Sequence, residues 1–191
     1  MPVALAITHG LPGSGKSWLA QQLLPPTGAV RIRSDVERKR LAGLEAVADS
    51  RASGDLYTAA ATDATYMRLL DLGAQALRDG WPVILDAAWL RRAQRDAARA
   101  LAARSQVPFL ILDCLAPMDV LRSRVGQRRR AGADASEADE AVLARLADVA
   151  EPLSADELAC SITVPTDRPV DATSLAAQWL ASPPLQGRPV G

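Results

Sequence analysis

The chain has 191 residues, with 22 acidic and 22 basic side chains and no formal net charge at neutral pH. A chain of this length can bury a core unaided, so we expect one domain over residues 1–182 and a flexible tail over 183–191. The balanced charge provides no bulk attraction to nucleic acid or to a membrane, so neither partner is favoured. The absence of an apolar run of membrane-spanning length, and of a signal-like N-terminus, predicts a cytoplasmic protein.

The first predicted elements flank a glycine-rich loop. Residues 3–8 are apolar with β-branched residues near both ends, which predicts a short strand buried on both faces. Residues 17–24 predict a helix with leucines on one face, ended by Pro25 and Pro26. Residues 10–17 lie between them and match the pattern G-x-x-x-x-G-K-[S/T], which is typical of a phosphate-binding loop.

This loop predicts a site for ATP and Mg²⁺. Its backbone amides would wrap the β-phosphate, Lys16 would reach the β- and γ-phosphates, and the Ser17 hydroxyl would be a Mg²⁺ ligand. Lys16 is one of only two lysines in a chain that otherwise uses arginine. The alternative is a chance glycine-rich turn, expected in about one chain in a hundred of this size. The predicted ATP-binding residues are Gly10, Leu11, Pro12, Gly13, Ser14, Gly15, Lys16 and Ser17.

Strands and helices continue to alternate after the loop. Capping boxes are predicted at Ser34–Glu37 and, with an acidic variant, at Ser136–Asp139. The long helix 55–78 carries an apolar face that includes Leu56 and Met67. The remaining predicted elements are a strand at 29–33, helices at 34–41 and 55–78, a strand at 82–86, a helix at 91–104, a strand at 107–114, helices at 118–130 and 136–150, a strand at 160–164 and a helix at 171–180.

Five short apolar strands separated by helices predict an α/β fold, with a parallel sheet covered by helices on both faces. Ligands of such sheets bind beyond the carboxyl ends of the strands. Asp35 follows the second strand, and Arg38 lies one helical turn later. Asp35 could therefore accept a proton from an acceptor hydroxyl while Arg38 holds the acceptor or a phosphate. The alternative is an ordinary acid at a helix N-terminus with a surface arginine.

Two further strands end in aspartate, at Asp86 and Asp113. Either carboxylate could orient Mg²⁺-bound water beside Ser17. Asp86 is preferred because two small residues follow it and leave space for a substrate, whereas Asp113 could simply cap the following turn.

The densest charge in the chain is an arginine cluster that precedes Gly132. Arg124 and Arg128 are four residues apart and share a helix face. We expect a lid over about residues 122–136 that brings these two guanidinium groups to the nucleotide and the transferring phosphoryl group. A solvated helix face is the alternative. The cluster comprises Arg122, Arg124, Arg128, Arg129 and Arg130.

Histidine and cysteine chemistry is not favoured. His9 is the only histidine, so a zinc site or a histidine-activated nucleophile would depend on it alone. Cys114 and Cys160 lie far apart without metal-ligand spacing, which predicts thiols in a reducing compartment. A general base in this chain is therefore expected to be a carboxylate.

Together these motifs resemble the P-loop kinases that include gluconate kinase, chloramphenicol phosphotransferase, zeta toxins and the kinase domain of phage polynucleotide kinase. The strongest resemblance is to a predicted-kinase family of AAA-type P-loop ATPases, often fused behind an aminoglycoside-phosphotransferase-like domain. It covers nearly the whole chain and rests on residues 10–17, 31–38, 86–90, 124–128 and 151–157.

The resemblance implies a three-layer αβα P-loop fold with strand order 2-3-1-4-5 and a helical lid. It assigns Asp35 and Arg38 to the phosphoacceptor side, and Arg124 and Arg128 to the lid. The predicted function is an ATP-dependent kinase that transfers the γ-phosphate to a hydroxyl of a small molecule, a nucleotide or a nucleic-acid end. The alternative is an ATP-binding switch or ATPase module that has no phosphoacceptor.

Overall fold

The structure is a computed structural model that describes residues 2–44, 58–131 and 140–183. Its five strands form one sheet in the order β2-β3-β1-β4-β5, and every neighbouring pair is parallel. This confirms the predicted fold class and strand order. The strands are β1 (Leu5–His9), β2 (Val30–Arg33), β3 (Val83–Asp86), β4 (Phe109–Leu115) and β5 (Ser161–Pro165).

Helices cover both faces of this sheet. Alternate residues of the central strands pack to opposite sides, as the period of a β-strand requires. One layer of the core joins the sheet to α3 and α4, and the other joins it to α1 and α8. The helices of the described residues are α1 (Lys16–Thr27), α2 (Ser34–Leu41), α3 (Ala59–Arg78), α4 (Arg92–Arg104), α5 (Met118–Ala131), α6 (Glu140–Val149), α7 (Ala155–Leu158) and α8 (Ala172–Leu180).

The first helix does not stop at its prolines, so the predicted end at residue 24 is wrong. Pro25 and Pro26 lie in the last turn of α1. The Thr27 hydroxyl donates a hydrogen bond to the Leu23 carbonyl at 2.5 Å, and the Gly28 amide donates to the Leu24 carbonyl at 2.8 Å. These two bonds engage the carbonyls of the turn that contains the prolines, and so close α1 beyond them.

The predicted capping box at Ser34–Glu37 is also wrong. Arg33 is the N-cap of α2, and the Glu37 carboxylate pairs instead with Arg40 and Arg68. These two charged partners take the place of the backbone amide that the Glu37 side chain would bond in a capping box. The predicted box at Ser136–Asp139 and the predicted core residue Leu56 lie outside the described residues.

Two smaller differences concern α3 and the segment before β5. Met67, expected in the core, is 64% exposed, because the buried face of α3 is formed by Thr65, Leu69, Gly73 and Leu77. The short helix α7 was not predicted. Within the described ranges, no helix is both long and apolar enough to cross a membrane.

Candidate active site

The glycine-rich loop joins β1 to α1 at the carboxyl edge of the sheet, as predicted. Gly10 and Gly13 have φ values of +134° and +82°, which L side chains rarely adopt. A Cβ on Gly10 would lie 2.5 Å from the Cys114 carbonyl oxygen, and one on Gly13 would lie 2.7 Å from that of Leu121. Glycine is therefore required at both positions, because the loop is pressed against the backbones of β4 and α5.

The N-terminus of α1 is open to an anion. Its N-cap, Gly15, makes no side-chain hydrogen bond to the helix, and the first turn has no acidic residue. The Ser14 hydroxyl oxygen is buried and has no hydrogen-bond partner among the described residues. Unsatisfied amides at a helix start, together with a buried hydroxyl, suit the oxygens of a phosphate.

Lys16 lies over this loop. Its ammonium donates hydrogen bonds of 2.9 Å to the Gly10 carbonyl and 2.8 Å to the Leu11 carbonyl. Burial lowers the pKa of Lys16, and the carboxylates of Asp86 and Asp35 oppose that shift. The Arg128 guanidinium acts on Lys16 in the same direction as burial. These effects on the pKa of Lys16 indicate that Asp86, Asp35 and Arg128 lie near the loop lysine.

Arg124 supports the loop from beneath. Its guanidinium donates to the Gly13 carbonyl at 3.1 Å and to the hydroxyl and carbonyl oxygens of Thr166 at 3.1 and 2.7 Å. The Thr166 hydroxyl in turn lies 2.8 Å from the Ser14 carbonyl. Thr166, which follows β5, is a site residue that the sequence did not single out, although its place at a strand end was a usable signal.

Asp86 is almost fully buried at the end of β3. Its Oδ2 accepts hydrogen bonds from Arg31 Nε at 3.0 Å and Nη2 at 2.5 Å, and its Oδ1 lies 3.4 Å from the Thr8 hydroxyl. Oδ1, with its single long contact, can accept a further bond from a metal-bound water. Oxygen donors of this kind, with the Ser17 hydroxyl, fit Mg²⁺. Arg31 was not predicted as a site residue.

Asp113, the alternative metal acid, is engaged elsewhere. Its Oδ1 lies 2.7 Å from Nδ1 of His9, its register partner on β1. Cys114 beside it is fully buried, and burial raises the pKa of its thiol to about 12. This thiol is therefore protonated and unreactive at neutral pH.

Asp35 lies in the first turn of α2, close to the ends of β2 and β3. Burial raises the pKa of its carboxyl group, and the neighbouring Arg33 guanidinium opposes the shift. Arg33 Nη2 donates to Oδ2 at 2.6 Å, and the Val36 amide donates to Oδ1 at 2.9 Å. These two hydrogen bonds fix the orientation of the carboxyl group.

Residues of α3 lie beside Arg38 of α2. Arg38 donates to the Thr62 hydroxyl at 3.3 Å, and its charge acts on the Tyr66 hydroxyl, whose pKa is raised mainly by burial. The Trp89 amide donates to the Tyr66 oxygen at 3.1 Å. Tyr66 was not predicted as a site residue, because one tyrosine within a long helix carries no motif.

The arginine cluster divides along α5. Arg124 and Arg128 are partly buried toward the loop, whereas Arg122 is exposed. The side chains of Arg129 and Arg130 and residues 132–136 of the predicted lid lie outside the description. α5 packs on α6 through Leu121, Val125 and Leu143.

Fold and loop together define a P-loop protein of the nucleotide-binding, kinase-like α/β class. The sequence profile of the AAA domain family matches residues 5–153, and the chain belongs to that family. An uncharacterized protein of Mycobacterium bovis is 36% identical over 153 residues, which cover 76% of this chain and 30% of that protein. The chain thus spans less than a third of this relative's length.

Two solved structures share the fold. A sugar kinase from a Janibacter species superposes with a TM-score of 0.71 at 20% identity, covering 96% of this chain and 97% of the kinase. The APS kinase CysC of Mycobacterium tuberculosis, in complex with AMPPNP and APS, superposes with a TM-score of 0.61 at 20% identity, covering 93% and 95%. At these identities the likeness shows the fold.

Proposed function

We propose that the protein is an ATP-dependent phosphotransferase that moves the γ-phosphate of ATP to a hydroxyl group of a small molecule, a nucleotide or a nucleic-acid end. The observation that carries this proposal is the position of Asp35, a partly buried carboxyl group in the first turn of α2, two residues after Arg33, which is the register partner of Asp86 on β3. A nucleotide switch needs the phosphate loop, but it does not need a proton acceptor opposite the γ-phosphate.

In the proposed site, residues 10–17 hold the phosphates of ATP, and Lys16 neutralises charge on the β- and γ-phosphates. Ser17 and Asp86 would hold Mg²⁺, which would neutralise phosphate charge and fix the γ-phosphate for in-line attack. Arg124 keeps the loop in shape for the nucleotide. Arg128, which acts on Lys16, stabilises the charge spread over the transferring phosphoryl group.

Asp35 is the proposed general base, and Arg38 orients the acceptor. A base must be deprotonated to work, so a raised pKa of Asp35 means that the rate of transfer rises with pH as this carboxyl group ionises. The hydrogen bonds from Arg33 and Val36 hold the carboxylate still, so that the remaining lone pairs face the acceptor hydroxyl.

The comparisons support the same reading. The sugar kinase and the APS kinase that share this fold are kinases by name, and the latter was solved with AMPPNP and APS together. A fold of this kind therefore accommodates a nucleotide together with a second ligand. The neutral charge of the chain favours a small acceptor over a long nucleic acid.

The test is a labelled-ATP transfer screen across sugars, nucleosides, oligonucleotides and aminoglycosides, with Lys16→Ala as the blank. With an acceptor in hand, Asp35→Asn should lower kcat by about 100-fold or more and leave the Kd for AMPPNP within about twofold. Asp63→Asn, the same change at an exposed carboxylate on α3, is the matched control.

Normal transfer by Asp35→Asn would show that Asp35 is not the base. ATP hydrolysis stimulated by a protein partner, with no labelled product from any acceptor, would favour the switch module. Salt-sensitive transfer to a short oligonucleotide would identify a nucleic-acid end as the acceptor.

A further inference from the structure

Arg95 is a buried cation at the centre of a polar cluster that joins α4 to Trp89 and to residues 151–157. It lies on α4 and is 1% exposed. Its guanidinium makes an ion pair with Glu157, with Nε 2.5 Å from Oε1 and Nη2 3.1 Å from Oε2. Burial opposes ionisation of Glu157, but hydrogen bonds from Arg95 and Ser154 overcome it and lower the pKa of Glu157 to about 2.

The remaining donors of Arg95 bind three backbone carbonyls. Nη1 donates to Trp89 at 3.1 Å and to Glu151 at 3.2 Å, and Nη2 donates to Pro152 at 3.3 Å. With the two bonds to Glu157, these use all five N–H groups of a guanidinium. A lysine in this position has three donors and no planar fork, so it could keep the ion pair but not the set of carbonyls.

One of these carbonyls belongs to a strained turn. Trp89 has a φ of +50°, an unusual conformation for a bulky residue, and its side chain is fully buried. Its indole N–H donates to the Leu85 carbonyl at 3.1 Å, and its ring meets that of Tyr66 edge to face at 4.8 Å between centroids. Such strain persists only where the surroundings impose it, and it concentrates at functional sites.

The Trp89 turn touches both halves of the proposed active site. The Trp89 amide donates to the Tyr66 hydroxyl. Thr62 and Tyr66 of α3 lie beside Arg38, which we propose orients the acceptor, and we call these two residues the acceptor wall. The carbonyl of the preceding Ala88 accepts a hydrogen bond from the amide of Gly10, the first glycine of the phosphate loop, at 3.2 Å. A shift of this turn would therefore move the phosphate loop and the acceptor wall relative to each other.

The other two carbonyls belong to the strap, which we define as residues 150–157, where the chain leaves α6 and enters α7. The Glu151 amide donates to the Leu90 carbonyl at 2.9 Å, and the Glu151 carboxylate accepts a bond from the Arg92 amide. The strap is the return connection from α6, which packs on α5, the helix that carries Arg124 and Arg128.

We propose that Arg95, held by Glu157, is a positioning residue for phosphotransfer. Its guanidinium joins the Trp89 turn to the strap, and so fixes the position of the acceptor wall relative to the phosphate loop and to α5, which carries Arg124 and Arg128. This inference rests on the proposed function for its consequence. Its structural basis is independent of any acceptor.

The test is Arg95→Lys in the full chain, followed by deuterium exchange of the backbone amides, measured by mass spectrometry with AMPPNP and Mg²⁺ present. We expect amides of residues 87–92 and 150–153 to exchange about tenfold faster or more, while those of β1 keep the wild-type rate. The Kd for AMPPNP should stay within about twofold. With an acceptor in hand, kcat should fall while KM for ATP is unchanged.

Arg99→Lys is the matched control, because Arg99 lies one turn further along α4 and pairs with Asp156 of the strap at 2.8 Å. It should leave residues 87–92 at the wild-type exchange rate. Unchanged exchange at 87–92 in Arg95→Lys, or an equal acceleration in β1, would overturn the proposal, since the latter shows a purely structural role. If Arg95→Lys does not fold, Glu157→Gln is held to the same criteria.

The exchange pattern can be measured before any acceptor is known, so it separates this inference from the proposed function. A chain that binds AMPPNP and phosphorylates an acceptor, but shows no change at residues 87–92, refutes the positioning role alone. If residues 87–92 exchange faster as expected but no acceptor is ever phosphorylated, the proposed kinase function is refuted, while the structural link between the Trp89 turn and the strap is retained.

Discussion

The ion pair between Arg95 and Glu157 predicts a specific loss of stability in acid. The ordinary pKa of a glutamate is 4.5, and that of Glu157 is lowered to about 2. A carboxyl group whose pKa is depressed by folding adds stability above its ordinary pKa, and this stability is lost as the pH falls toward the folded value. Replacing Glu157 by glutamine removes the titration, so the difference between the two proteins isolates this one group.

The magnitude follows from the two pKa values. A shift from 4.5 to about 2 corresponds to ~3 kcal/mol of unfolding free energy at pH 7, at 1.36 kcal/mol per pKa unit. At pH 3 the same relation leaves ~1.4 kcal/mol. The gap in stability between wild type and Glu157→Gln should therefore narrow by about 2 kcal/mol between pH 7 and pH 3.

Urea unfolding curves for both proteins at pH 7, 5, 4 and 3 would measure this gap. Asp156→Asn is the control for an exposed ion pair, because Asp156 pairs with Arg92 and Arg99 at the surface. About 0.5 M NaCl should erase the effect of Asp156→Asn and leave that of Glu157→Gln, since buried charges are screened much less. A gap that is equal at pH 7 and pH 3, or that disappears in salt, would refute a buried and paired Glu157.

Two further predictions concern the phosphate loop. Thr166→Val removes the hydroxyl that donates to the Ser14 carbonyl. It should lower the unfolding free energy by about 1–3 kcal/mol, measured by denaturant titration, and weaken AMPPNP binding, measured by calorimetry. An unchanged Kd for AMPPNP would show that the loop keeps its conformation without this hydrogen bond. Gly13→Ala should abolish nucleotide binding, because the new Cβ would meet the Leu121 carbonyl at 2.7 Å. Gly80→Ala is its control, with a similar φ of +86° and nothing within 4 Å, so it should cost only about 1 kcal/mol and spare binding.

The parallel sheet and the site of the phosphate loop could be predicted from local patterns, whereas the order of the strands came only from the resemblance to P-loop kinases. Apolar runs of strand length, separated by helical periodicity, restrict the topology to a parallel sheet, and a glycine loop before a helix marks where the ligand lies. The position of Asp35 follows from the same rule, since strand ends converge on one edge. These predictions required no knowledge of which side chains meet.

The errors arose where a side-chain contact replaced the pattern that a local motif predicts. Glu37 has the correct spacing for a capping box, but its carboxylate pairs with Arg40 on the same helix and with Arg68 on α3. Pro25 and Pro26 are ordinary stop signals, but the Thr27 hydroxyl and the Gly28 amide close the last turn, so α1 continues to Thr27. Of these partners only Arg68 lies far away in the sequence, and its approach to Glu37 could not be predicted from the neighbouring residues.

Arg95 shows most clearly what could not be predicted from the sequence. It is one of several arginines within residues 91–104, a predicted helix whose arginines suggest an exposed face. Its burial depends on Glu157, 62 positions away, and on carbonyls of two separate loops. In the sequence, residues 86–90 and 151–157 are two separate stretches that carry the family resemblance. In the structure, the Arg95 guanidinium joins these two segments.

One physical reason explains why arginine rather than lysine joins separate chain segments in this protein. Arg31, Arg95 and Arg124 each bridge two or more chain segments by directing several N–H groups at carboxylate or carbonyl oxygens. A planar fork of five donors can satisfy such a set while buried, and a single ammonium group cannot. In the proposed kinase the requirement at position 16 is opposite, because one compact charge would exchange its hydrogen bonds to two loop carbonyls for bonds to phosphate oxygens. The chain therefore surrounds the proposed site with arginines that join chain segments and places a single lysine within the phosphate loop.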